Sequence, residues 1–267
     1  MDNVHDRAAL TVTSAAPECA IDNTQRNERE YLWRSADLAP QTVGATLPEL
    51  QFLDAVVLIG HNLSGAATVT LRVLVDGDVV ATVDDISTAE YVPAGVWRAG
   101  IDPFGASYND QLSQPLTIID VPTIPCTGYE LTIDDPDNAD GAIEVQRIVA
   151  GLGFVSEYGP SWGVDLNWVD PGQQQRSAGR TLRTIGGGQP WRELTVSLDN
   201  LTPEDRSRLL IELAQRGIVG DVFVDCYPNR AGPDRLTGAF LARLKGGWGD
   251  THNRLSNYQS KPTFVEV

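Results

Sequence analysis

Between Glu90 and Gln111 the chain gathers Tyr91, Trp97, Arg98, Asp102, Phe104, Tyr108 and Asn109. Flat aromatic faces stack on the apolar C–H faces of a sugar ring, while neighbouring carboxylate and amide groups exchange hydrogen bonds with its hydroxyls. Residues 86–114 are rich in Gly, Pro and aromatics without a clear hydrophobic period, so they read as a long loop or several short ones. Long loops on rigid β scaffolds often carry function. Tyr91, Trp97, Arg98, Asp102, Tyr108 and Asn109 are therefore the candidate carbohydrate-binding residues. The same aromatics also suit packing the loop onto a sheet, and composition leaves both roles open.

Other chemistry is weaker. The stretch Asp134-Asp135-Pro136-Asp137-Asn138-Ala139-Asp140-Gly141 invites calcium, because carboxylates at short spacing can converge on a hard cation. The EF-hand pattern fails: with Gly141 at loop position six, the first position is Pro136 and the twelfth is Arg147, neither a carboxylate. A solvated turn joining two strands is the expectation, since Asp and Asn readily occupy turns. His5, His61 and His252 stand far apart, and His61, after an apolar run, reads as a hydrogen-bonded histidine at a strand end rather than a catalytic base. Ser161 in Gly159-Pro160-Ser161-Trp162-Gly163 spells a nucleophile elbow but lacks the alternating βα context that motif needs. Gly186-Gly187-Gly188 has no following Lys-Ser or Lys-Thr and is not a phosphate cradle. Asp102 and Asp110 qualify as paired carboxylates of a hydrolase only by lying in one loop. No catalytic residue, metal ligand or cofactor is assigned, and a non-enzymatic role is expected.

Charge is distributed unevenly. Residues 1–150 hold 7 Arg against 23 Asp and Glu, whereas residues 151–267 hold 13 basic and 13 acidic residues, so the net charge of −16 belongs to the first part. Solvated charge serves solubility anywhere on a single domain, so the split reads as two modules with different neighbours. An acidic surface repels phosphate backbones, and the basic residues form no run, which excludes nucleic acid as a partner. The longest apolar run, Ala55–Ile59, is too short to cross a bilayer. The first twenty residues carry acids where a secretory leader needs bases. Cys19, Cys126 and Cys226, odd in number and far apart, read as reduced, with Cys226 a buried thiol in an apolar strand.

The elements that must position the loop are strands. Residues 1–25 read as a flexible arm. Strands are expected at 30–35, 53–60, 116–121, 129–133 and 142–150, and 67–83 alternates around Asp76-Gly77, the mark of a tight hairpin. After residue 151, strands are expected at 163–169, 179–185, 191–198, 221–227, 237–244 and 263–267. One helix is expected over 203–216, capped by Thr202, started by Pro203, supported by Glu204 and Asp205 and ended by Gly217. Its stripe of Leu209, Leu210 and Leu213, with Ile218 beyond it, should lie on a sheet. The expected fold is mainly β: two β-sandwich or jelly-roll domains, 26–150 and 151–267, the second with one α-helix packed on it.

Tyr31–Ser35, Val56–Ser64, Ala67–Arg72 and Gly141–Ile148 together resemble a galactose-binding-like, discoidin-type jelly roll of the kind found in minor structural proteins of tailed bacteriophages, over residues 29–150. Arg180–Arg183, Trp191–Leu198 and Leu201–Asp205 are similar to ring-forming tail and baseplate adaptor domains, with distal tail proteins the nearest analogy. The resemblance implies a virion structural protein assembled in the host cytoplasm. Its partners would be copies of itself in a ring, other tail proteins and host-surface glycan. A lectin-like carbohydrate-binding protein is the alternative.

Overall fold

The computed structural model describes residues 3–88, 99, 112, 114–160, 164–230, 232–254 and 257–267. The fold is mainly β, with two α-helices among the described residues. It divides into two compact units: Met1–Gly153 with Asp225–Ala239, and Phe154–Val224 with Phe240–Val267. Unit 1 thus takes in a segment, 225–239, that the charge pattern had grouped with the second module. Because that segment is itself neutral, unit 1 still carries the whole net charge of −16 and unit 2 carries none.

Unit 1 is organised by two long strands, β3 (Gln41–His61) and β6 (Leu116–Asp134), counted after β1 (Ala9–Val12) and β2 (Trp33–Arg34) and separated by β4 (Thr68–Val75) and β5 (Asp78–Ser87). They pair antiparallel from Gln41↔Ile133 to Ile59↔Leu116. The register shifts between Thr46 and Gln51, across Pro48, and again between Leu53 and Ala55, opposite Pro122, while Pro125 keeps its place in the ladder opposite Phe52. Each long strand therefore serves two layers. The first part of β3 and the last part of β6 pair with β1 and β4, and β4 carries the edge strand β5. The other parts pair with each other and with β7 (Glu144–Gly151), which carries β2. One core joins both layers: Trp33, Val43, Ala45, Leu58, Val69, Leu71, Tyr129, Leu131, Ile133 and Ile148 are all buried in it.

The β4–β5 hairpin turns on Asp76 and Gly77 with φ of 51° and 91°, the positive pair that a two-residue turn matched to strand twist requires. The expected strands at 53–60, 116–121 and 129–133 are fragments of β3 and β6, since prolines and exposed residues at the bend conceal that each strand continues.

Residues 3–25, expected as a flexible arm, are folded onto unit 1. Beyond β2 the outer edge of β7 is open, and the Asn3 side-chain amide takes the place of a strand: Nδ2 donates to Ile148 O at 3.1 Å and Oδ1 accepts from Ala150 N at 2.9 Å. Arg147, 4 % exposed, donates to both Asp6 carboxylate oxygens at 2.7 and 2.8 Å, to Thr24 O and to Asn27 Oδ1. Segment 225–239 is tied to β6 through Arg235, whose guanidinium grips both oxygens of Asp120 and also donates to Asp225.

Unit 2 contains β8 (Asp165–Val169), β9 (Gln173–Arg176), β10 (Leu182–Ile185), β11 (Trp191–Thr195), β12 (Leu198–Leu201), α1 (Pro203–Arg216), β13 (Val222–Asp225), then α2 (Pro233–Gly238, of unit 1), β14 (Ala239–Leu244), β15 (Asp250–Arg254), β16 (Asn257–Ser260) and β17 (Thr263–Glu266). Its five-stranded sheet runs β13-β14-β17-β11-β8, its three-stranded sheet β12-β16-β15, and β9 and β10 pair only with each other. A buried ion pair, Arg192 with Glu266 at 2.5 Å, links β11 to β17, with the guanidinium over the Phe240 ring.

Helix α1 has the caps its sequence announces: Thr202 Oγ1 accepts from Asp205 N at 3.1 Å, and Gly217 at φ 59° returns its N–H to Leu213 O. Leu209 and Leu213 face inward, while Ile218 is exposed, because the chain reverses at Gly217 before reaching it. Cys226 follows β13 and is only half-buried; Cys126 is the fully buried thiol, and none of the three cysteines forms a disulfide.

Asp6→Ala should leave the Arg147 guanidinium buried without its counter-ion. The expected cost is about 2 kcal/mol, below that of a fully buried pair because the Asp6 side chain is 36 % exposed. Chemical unfolding of the full chain checks it; a change within ~0.5 kcal/mol would show that the N-terminal segment does not stabilise unit 1.

Candidate functional site

Register fixes which loops share an end of unit 1. Thr68 lies opposite both Ser87 and Asp134, and Ile59 opposite Leu116, so the segments leaving β3, β5 and β6 emerge together. That end carries the connection from β5 to β6, which holds the carbohydrate-binding candidates. Tyr91, Trp97, Arg98, Asp102, Tyr108 and Asn109, with Phe104 and Asp110, lie outside the described residues. Its flanks are described. Thr88 is buried and donates from Oγ1 to Ser64 O at 2.8 Å, and Gln114 is buried and pairs with the Arg29 guanidinium.

Beneath these flanks lies a closed polar network. The Asp135 carboxylate, fully buried, accepts from Ser64 Oγ at 2.5 Å, Ser64 N at 2.8 Å and Asn138 Nδ2 at 2.9 Å. Asn138 Nδ2 also donates to Asn62 O, and its Oδ1 accepts from Asp140 N. Asn62 accepts from Glu144 N and donates to Asp140 and Ala142 O. A buried carboxylate without such donors would cost several kcal/mol, so this loop holds its shape only with the Ser64 turn docked against it.

The acidic stretch is therefore not the solvated turn expected: Asp137 and Asp140 are exposed, but Asp135 and Asn138 are buried inside the clamp. No group of three or more His, Cys, Asp or Glu suited to a metal occurs among the described residues. Ser64 and Asn62 were missed as partners because 71 to 82 positions separate them from the groups they bind. Only the Asx-rich composition of both segments hinted at side chains that bond backbone.

His61 ends β3 as a hydrogen-bonded histidine. Leu63 N donates to Nδ1 at 3.3 Å, so Nε2 bears the proton and donates to Thr117 Oγ1 at 2.9 Å. His5 is held likewise. Thr24 Oγ1 gives its proton to Ile21 O, so His5 Nε2 donates to Thr24 at 2.8 Å and Nδ1 accepts from Tyr129 Oη at 2.6 Å. Burial, reinforced by the Arg147 charge, lowers His5 to about 3, and burial lowers His61 to about 4 against the pull of Asp135. Both are neutral structural groups. His252 stacks on Tyr258 in unit 2 at 4.6 Å. Ser161 lies outside the described residues, and Gly186 turns the exposed loop from β10 to β11 with φ of 74°.

No protein-family model matches the sequence, and no curated protein matches it. Among solved structures the chain is similar to the family 32 carbohydrate-binding module of Clostridium perfringens NanJ in complex with galactose. Identity is 9 % and the TM-score 0.40, over 55 % of this chain and 96 % of that one. It is similar to a Streptococcus pneumoniae fucose-binding module (8 % identity, TM-score 0.40, 57 % and 99 %). It is also similar to the lectin binding domain of Lectinolysin complexed with Lewis b (9 %, 0.40, 56 % and 95 %). Likeness at this level does not say what this chain binds.

Two predictions concern this end of unit 1. Asp135→Ala should cost about 2–3 kcal/mol, since the Ser64 and Asn138 donors lose their acceptor inside the protein, and millimolar calcium should leave the melting midpoint of the wild type unmoved. A calcium-dependent rise would contradict the closed network. The histidines give the second. Both have folded-state values below the ordinary 6.5, so the unfolded chain takes up protons first as pH falls. Their stabilisation is complete above about 6.5 and is lost from there down towards about 4 and 3, by up to ~1.4 kcal/mol per pH unit for each. Unfolding free energies between pH 7 and pH 4.5 should fall less steeply in His5→Gln than in the wild type; parallel curves would refute the assignment.

Proposed function

We propose that the chain is a binding protein without a catalytic role, and that unit 1 recognises carbohydrate through the β5–β6 connection. Tyr91, Trp97 and Tyr108 would supply stacking faces, and Arg98, Asp102 and Asn109 hydrogen bonds to ring hydroxyls. One observation carries this reading: the Asp135–Ser64–Asn138–Asn62 network fixes the end of the sandwich from which that connection leaves, with Thr88 and Gln114 anchored on either side. A stiff scaffold under a loop rich in aromatic and polar groups loses little entropy on closing over a ligand. His5 and His61, the two buried histidines, are committed to structural hydrogen bonds, which supports binding rather than acid–base chemistry.

A second reading, a self-assembling structural component of a bacteriophage tail or baseplate, located in the virion, is favoured by a different observation. Unit 2 is uncharged overall and contains a two-stranded hairpin whose strands, among the described residues, pair with neither of its sheets.

Glycan-array screening of the full chain tests the first reading. Galactose- and fucose-terminated glycans, the sugars bound by the similar modules, are the natural first probes. Binding should weaken at least about 10-fold in Trp97→Ala and in Tyr108→Ala, the loss of roughly one stacking contact each, with circular dichroism unchanged. No binding by the wild type, or undiminished binding by both variants, would overturn it.

A further inference from the structure

We propose that the β9–β10 hairpin of one copy docks against the β5 edge of unit 1 in a second copy. The inference rests on the self-assembly reading, not on a virion setting or on carbohydrate.

The hairpin is an anomaly of packing. All eight of its strand residues, Gln173–Arg176 and Leu182–Ile185, are exposed, including Leu182 and Ile185 at 49 % and 53 %. Among the described residues it pairs with no third strand. A two-stranded ribbon is marginal in water on its own, and one that exposes branched apolar side chains on both faces gains most when covered.

Its charge says what covers it. Residues 171–191 contain Arg176, Arg180 and Arg183 and no acid, and none of the three has an ion-pair partner among the described residues. The chain as a whole carries −16. The complementary surface is on unit 1: residues 73–88 contain Asp76, Asp78, Asp84 and Asp85 and no base, all exposed. They lie in and beside β5, which ends the strand order of its sheet among the described residues and where Val79 and Val80 are half exposed. Two β5 edges repel each other, as do two arginine hairpins, so the attractive pairing is hairpin to edge. Such a contact joins unlike surfaces, and repeated it closes into a ring or runs into a filament.

Sedimentation velocity of the full chain provides the test. The wild type should associate with rising concentration at low salt and less so at about 0.5 M, where charges are screened beyond roughly 4 Å. Arg176→Glu/Arg180→Glu/Arg183→Glu should associate more than about 100-fold more weakly. Asp78→Arg/Asp84→Arg should fail similarly. These two sites avoid the positive-φ positions Asp76 and Asp85, where a long side chain would add strain. An equimolar mixture of the two variants should recover association pairwise, because the unchanged arginine hairpin of the edge variant meets the unchanged acidic edge of the hairpin variant, whereas the glutamate hairpin meets an edge whose two introduced arginines only offset Asp76 and Asp85. Heterodimers that stop at two chains are thus the expected result for the mixture. A monomeric wild type overturns both the self-assembly reading and this inference. A wild-type oligomer that survives both charge reversals overturns this inference alone.

Discussion

The pairing of β3 with β6 along almost their whole length is the constraint on which unit 1 depends. A sandwich made of separate strands needs loops to hold its layers in register. Here two covalent strands pass through the bend together, so the register of one layer sets that of the other. The core follows from it: Val43 and Ala45 on one side of the bend and Val56 and Leu58 on the other are buried in one cluster. The two ends of this ladder, Ile59 opposite Leu116 and Gln41 opposite Ile133, lie on either side of the bend, and the hydrogen bonds from Ser64 to Asp135 join the segments that follow β3 and β6.

What β3 and β6 leave open, the N-terminal segment closes. The β7 edge beyond β2 would present free N–H and C=O groups, and Asn3 satisfies two of them as a strand would, without supplying another edge that needs covering. Burying Arg147 and His5 in the same place is feasible because one meets a bidentate carboxylate and the other stays neutral between two hydroxyls. A unit with charge −16 resists compaction through self-repulsion. Fixing a guanidinium against its acids offsets a little of that.

Local features were legible where the chain needs few distant partners. Asp76-Gly77 demands positive φ and gave the hairpin; Thr202, Pro203 and Gly217 mark both ends of α1. Long-range features were not. Pro48, Pro122 and Pro125 fall between the expected strands, yet β3 and β6 continue through them because the bend leaves those positions exposed. The small and polar residues before Gln25 read as an arm because their stabilising partners, Ile148, Arg147 and Tyr129, lie more than a hundred positions away. The candidate binding residues, chosen from composition, lie outside the described residues, and the network at 134–140 was only half visible: its acids stand out, but their partners Asn62 and Ser64 are unremarkable in sequence.

Carbohydrate recognition and assembly make complementary demands on such a chain. A loop that binds one sugar through a few stacking rings and exposed hydrogen bonds competes with water at every hydroxyl, which keeps single-site affinity low. Joining copies changes the outcome without altering the site, since linked sites act at a high effective concentration and raise avidity by about 10²–10⁴-fold on a multivalent surface. The separation of labour in the sequence fits this physics. Unit 1 gathers four acids in and beside β5, while unit 2, neutral overall, carries on an exposed hairpin three arginines without an ion-pair partner among the described residues.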